Sequence, residues 1–215
     1  MKKHLFPFIG LVIFTFFLTS CGSSSEKKTN QNEQYMNVSN PDFLQPPAPK
    51  SAKISFVKNM AVPALSSSFN AQEAFAESSD KAIANFWHSS DFKEHVNQKL
   101  KALPKMPLQN VSVYHATENT SVAKIALAKG AKPMSIEEFS QTLAFLISKQ
   151  PTGEAGELRY DGRANIFFVE VAPDHCVAVS VWWNLARSKW ELGSTHLEYE
   201  WFAGFRIFLC NGSGT

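Results

Sequence analysis

The chain has 215 residues, 44% of them hydrophobic and 19% charged, with 21 basic against 19 acidic side chains. That apolar content suffices for a hydrophobic core and excludes a wholly disordered polyelectrolyte. The near-balance of charge, with no basic cluster beyond Lys27-Lys28, argues against a nucleic-acid partner, whose readers carry a basic patch or stripe.

The N-terminus is basic at Lys2-Lys3 and apolar from Leu5 to Leu18, and it ends in Leu18-Thr19-Ser20-Cys21-Gly22. About fourteen apolar residues fall short of the roughly twenty that a spanning helix needs. A short apolar run after a basic start reads as a cleaved targeting segment. It resembles the lipobox of bacterial lipoprotein signal peptides. The resemblance covers residues 1–22 and implies cleavage before Cys21, a diacylglyceryl thioether on Cys21 and acylation of the new amino terminus. Each buried methylene contributes about 0.8 kcal/mol, and more than one chain makes a lasting anchor. Gly22 stands where Asp marks inner-membrane retention in enteric bacteria. The resemblance therefore implies the outer membrane, facing the periplasm, in a Gram-negative cell, and the outer face of the cell membrane in a Gram-positive one. Loss of Lys2 and Lys3 with the signal peptide, residues 1–20, leaves 19 basic against 19 acidic side chains.

Residues 21–50 are polar and then punctuated by Asn40-Pro41 and Gln45-Pro46-Pro47-Ala48-Pro49. Such a stretch buries too little apolar surface to offset its ordering entropy and reads as a tether. Residues 51–215 read as one globular domain. Ile54–Val57 alternates as a short edge strand. Ala71, Ala74, Phe75, Ala82, Ile83 and Phe86 fall at helical spacing, with Ser78-Ser79-Asp80 as a break between two helices. Ser90 or Asp91 caps a helix carrying Phe92, His95, Val96, Leu100 and Leu103 that stops at Pro104. Val111–His115 reads as a strand. Thr120 or Ser121 opens a helix closed by Gly130, and Ser135-Ile136-Glu137-Glu138 is a capping box opening another that ends before Pro151.

Beyond the loop Thr152–Glu157 the period becomes two. Asn165–Ala172, His175–Trp183, Lys189–Leu192 and Glu198–Cys210 read as strands, with a tight turn at Pro173-Asp174. Helices first and strands later predict an α+β domain: N-terminal helices packed on one face of a C-terminal three- to four-stranded antiparallel meander.

With Cys21 lipidated, Cys176 and Cys210 remain as a candidate disulfide in an oxidising compartment. It would close a loop of roughly thirty-five residues, worth about 3–4 kcal/mol; the alternative is two buried thiols. His175 cannot activate Cys176, because adjacent strand residues point to opposite faces. The histidines show no i, i+4 pair and there is no Cys-x-x-Cys, so no metal is expected, nor any cofactor. Val113-Tyr114-His115-Ala116-Thr117 before a helix, with Glu198-Tyr199-Glu200 near the end, loosely resembles the strand His and Glu-x-Glu motifs of ADP-ribosyltransferases. That resemblance implies catalytic roles for His115, Glu198 and Glu200, but Ala116 stands where the family has Gly, and the Ser-Thr-Ser strand is missing. Trp182, Trp183, Trp190 and Trp201 form an aromatic cluster, which is either the sheet–helix interface or a partner surface. The reading favoured is a non-catalytic, membrane-anchored envelope domain binding a protein or cell-wall partner. The alternative is an envelope enzyme, a transferase of this kind or a hydrolase.

Overall fold

The computed structural model describes residues 54–210; Cys21 and the whole tether, residues 21–50, lie outside them. The chain opens with β1 (Ile54–Val62), the short β2 (Phe69–Asn70) and α1 (Ala71–Ala74). β3 (Phe86–His88) and α2 (Ser90–His95) follow, then a single 3-10 turn over Asn97–Lys99 and β4 (Ala102–Leu103). Next come β5 (Gln109–Ala116), β6 (Thr120–Ser121), α3 (Val122–Lys129) and α4 (Ile136–Ser148). The second half contributes β7 (Asn165–Ala172), β8 (His175–Asn184), β9 (Lys189–Thr195), β10 (Glu200–Trp201) and β11 (Arg206–Cys210).

Local hydrogen-bond chemistry sets the helix ends. The Ser121 hydroxyl accepts the Lys124 N–H, and Gly130, at φ 58°, closes α3 in the left-handed conformation that glycine adopts without strain. Ser135 and Glu138 form both halves of the capping box on α4. The β7–β8 turn falls at Pro173-Asp174, with Asp174 at φ 59°.

The principal sheet has seven strands in the order β1-β5-β11-β7-β8-β9-β3. Neighbours are antiparallel except β11–β7 and β3–β9, which are parallel. The expected architecture of N-terminal helices on a C-terminal meander is therefore overturned. Three strands of the first half, β1, β5 and β3, belong to the same sheet as the later ones. β7, β8 and β9 are consecutive antiparallel neighbours, but β11 leaves them and inserts between β5 and β7. The segment read as helical from Ala71 to Phe86 is helical only to Ala74, and Phe86 pairs across to Trp190 as a strand residue. The helix expected to reach Leu103 stops at His95. The expected last strand is broken at Gly204, whose φ of 97° no strand residue adopts. In each case a long-range pairing overrides local spacing.

Alternation along the strands divides the apolar side chains between two cores. The larger contains Val111, Val113, Phe167, Val169, Val179, Val181, Trp183, Trp190, Leu192 and Phe208, packed under α1, α2 and α4 by Phe75, Phe92, Phe139, Leu143 and Ile147. The smaller, on the opposite face, contains Ala116, Ile166, Phe168, Ala178, Ile207 and Leu209 beneath Val122, Ile125 and Ala126 of α3. α3 thus covers only the β5–β11–β7 part of its face. At the β8–β9–β3 end, no helix among the described residues packs on that side.

Candidate binding site

The uncovered end of the sheet carries a row of three side chains. Glu191 on β9 is the direct partner of Trp182 on β8 and of Trp87 on β3. Direct partners share a face, so a carboxylate lies between two indoles on adjacent strands. The two tryptophan backbones are two strand spacings apart, roughly 10 Å. Both indoles are partly exposed, while Glu191 is only 5% exposed.

The carboxylate is held from one side. Glu191 Oε1 accepts from Asn184 Nδ2 at 2.7 Å and faces Arg187 Nη1 at 3.4 Å. The Arg187 guanidinium also lies 5.7 Å from the centre of the Trp87 ring, a cation–π distance. On the other side, Gly193 and Ser180 form the next rung. A Cβ on Gly193 would stand 2.8 Å from Ser180 Oγ and 3.3 Å from the Trp182 ring. Glycine there lets the Trp182 indole lie across β9. The arrangement offers flat apolar faces beside a fixed hydrogen-bonding carboxylate and amide. That suits a ligand having both C–H faces and hydroxyl or amide groups, such as a sugar ring.

The four tryptophans singled out in the sequence have different roles. Trp183 and Trp190 are core residues, their rings 5.3 Å apart in edge contact, and Trp190 Nε1 donates to the Gln150 carbonyl at 3.1 Å. The partner-surface reading is corrected for these two, because their face is roofed by helices. Trp182 is in the row. Trp201 lies on β10, which pairs with β6 beside α3, and makes an edge contact with Tyr199 at 4.8 Å. Next to it Phe202 is 80% exposed. Sequence reasoning missed Trp87, Asn184, Arg187, Glu191 and Gly193. Glu191 lay in the expected strand Lys189–Leu192, but its partner Trp87 follows directly on the segment read as helical, Ala71 to Phe86, so no local pattern brought the two together.

Cys176 and Cys210 do not form the candidate disulfide; both are thiols. β7 separates their strands, putting the backbones roughly 10 Å apart, beyond the ~7 Å limit for a bridge. They also face opposite ways, Cys210 against the larger core and Cys176 against the smaller. Burial, with Glu138 beside it, pushes the Cys210 thiol up to about 11, and burial with Glu170 and Asp174 also raises Cys176. His175 is exposed on the other side of β8 from Cys176, its ring 6.2 Å from that of His95.

The transferase-like residues are not assembled. His115 shares the face of Val111 and Val113, whereas Glu198 and Glu200 lie on the α3 side of the sheet. Glu198 pairs with His196 at 3.6 Å, and Glu200 with Lys124 at 3.8 Å. Among the described residues no three His, Cys, Asp or Glu side chains converge as a metal site. Cys21 lies outside the described residues. No family model, curated protein or solved structure matches this chain.

Proposed function

We propose that this chain is a cell-envelope lipoprotein, anchored through Cys21, whose folded part is a non-catalytic module that binds the glycan of the cell wall. The observation that carries the reading is the Trp182–Glu191–Trp87 row at the end of a sheet face that no helix among the described residues covers there. Two indoles give stacking surfaces, and the buried carboxylate with Asn184 gives direction to hydroxyl or acetamido groups. Retention of the full chain on purified insoluble cell wall tests it. Trp182→Ala is expected to weaken retention at least tenfold while leaving the fold intact by circular dichroism. Equal retention of the variant and the parent chain removes the reading. Membrane fractionation of Cys21→Ala tests the anchor separately, with release from the membrane expected.

A protein partner is the second reading, favoured by the exposed Tyr199 and Phe202 around Trp201. Cross-linking in the native cell would recover it through β10 rather than through β8–β9–β3.

A further inference from the structure

At the opposite end of the sheet lies a second cluster, on the face of the larger core. His115 on β5 is flanked by Ser55 of β1 and by Arg206 of β11. Arg206 is in turn the partner of Asn165 on β7. Asn165 is fully buried, and its side-chain amide grips the main chain of Arg159, accepting its N–H at 2.7 Å and donating to its carbonyl at 3.1 Å. The segment from Gly156 to Arg163 is thereby drawn across the ends of β5, β11 and β7. Arg163 lies over Gly204, where a Cβ would stand 2.5 Å from its Nη1. Gly204 itself is held to the end of β5 by its N–H, which donates to the Ala116 carbonyl at 2.8 Å.

The charges here do not cancel. Arg159 is neutralised by a two-pronged pair with Asp161, and Lys58 by Glu157. Arg206 donates only to the main-chain carbonyls of Gly156 and Glu157. Arg163 has no carboxylate partner among the described residues. Among the described residues, Arg206 opposite His115 and Arg163 over Gly204 thus have no carboxylate counter-charge, although like charges brought close together cost Coulomb energy unless an anion joins them. Burial and then Arg159, Arg206 and Arg163 hold the His115 imidazole below its ordinary range.

We propose that Arg163, Arg206 and His115 form a binding site for a phosphate group. The guanidinium fork matches phosphate oxygens two at a time, which a lysine point charge does not. One doubly charged phosphate would balance the two unpaired guanidiniums. Placement favours the headgroups of a membrane as the source, since β1, the first described strand, pairs Ser55 with His115. The roughly thirty residues between Cys21 and β1 reach at most about 100 Å. Lipid anchorage through Cys21 would therefore keep the site near headgroups, where effective concentrations in the millimolar range make a weak contact sufficient. The phosphate site itself does not depend on the anchor or on the glycan reading.

The test follows the His115 ring by NMR in the full chain, held in zwitterionic detergent at matched ionic strength. Three conditions are compared: chloride, inorganic phosphate, and micelles doped with phosphatidylglycerol. Phosphate is expected to raise the His115 pKa, because a bound anion cancels the guanidinium field. Arg163→Gln is expected to weaken phosphate at least fivefold, and Arg206→Lys, which keeps the charge but removes the fork, to weaken it as well. A response to both phosphate and doped micelles assigns the site to headgroups. A response to free phosphate alone assigns it to a soluble phosphate ester. Identical titration in all three conditions, or an unchanged phosphate response in both variants, overturns the proposal.

Discussion

Trp182 and Trp183 are neighbours in the chain with the same indole, yet they belong to different kinds of surface. Trp183 points into the larger core and meets Trp190, and it lies so close to Gly153 that a Cβ there would be 2.2 Å from its ring. Trp182 points the other way, lies across Gly193, and has Glu191 rather than another ring as its partner on β9. Each tryptophan depends on its own glycine for room. What separates their roles is what covers the sheet: helices on one face and, among the described residues, no helix on the other at that end. An aromatic-rich strand pair is therefore a core on one side and a candidate ligand platform on the other, and composition alone does not distinguish them.

The comparison can be broken most severely at Trp190. Trp190→Ala is expected to cost about 3–5 kcal/mol in urea unfolding, since it empties a fully buried site and leaves the Gln150 carbonyl without its donor. A cost no larger than that of Trp182→Ala would mean that the two faces are not different in kind. Gly193→Ala should cost about 1–3 kcal/mol, the usual range for overpacking, and should displace the Trp182 ring, read as a change in its fluorescence. The helix-covered face also carries His88, which is 3% exposed. Burial holds its imidazole below its ordinary 6.5, opposed by Glu77 and reinforced by Lys93. The folded state then binds fewer protons than the unfolded chain below about pH 6.5, so stability should fall as pH drops through that window and level off past the folded pKa. His88→Phe should flatten this dependence in thermal melts. The smallest expected effect concerns the thiols. With Cys176 and Cys210 on opposite faces and both raised, the folded protein should keep two thiols under mild oxidation, read by intact mass. A stable intramolecular bridge would place the two strands on the same side.

The parts of this fold legible in the sequence are those that a few adjacent residues decide. Ser121 and Gly130 bound α3, and Ser135 with Glu138 opens α4, because caps are local hydrogen bonds. The Pro173-Asp174 turn was legible for the same reason. β3 was not: Phe86 follows Ala82 and Ile83 at helical spacing, and only its parallel pairing with β9 makes it a strand. The position of β11 likewise depends on residues about ninety-five positions away on β5 and about forty positions away on β7. The candidate site divides in the same way. Trp182 stood out as an aromatic, whereas Glu191 and Trp87 acquire meaning only through the register of three strands.

That late placement of β11 bears on how the protein is made. Its five residues, Arg206–Cys210, bridge the β1–β5 pair to the β7–β8–β9–β3 block. Until they emerge, the two halves of the sheet have no strand in common, and Phe208 is missing from the stack with Phe167, whose rings are 4.8 Å apart. Joining the two parts therefore needs pairing between segments about ninety-five residues apart, and such non-local closure is intrinsically slow. If the chain is exported as we propose, a sheet joined only through β11 leaves its two parts open until that strand has passed.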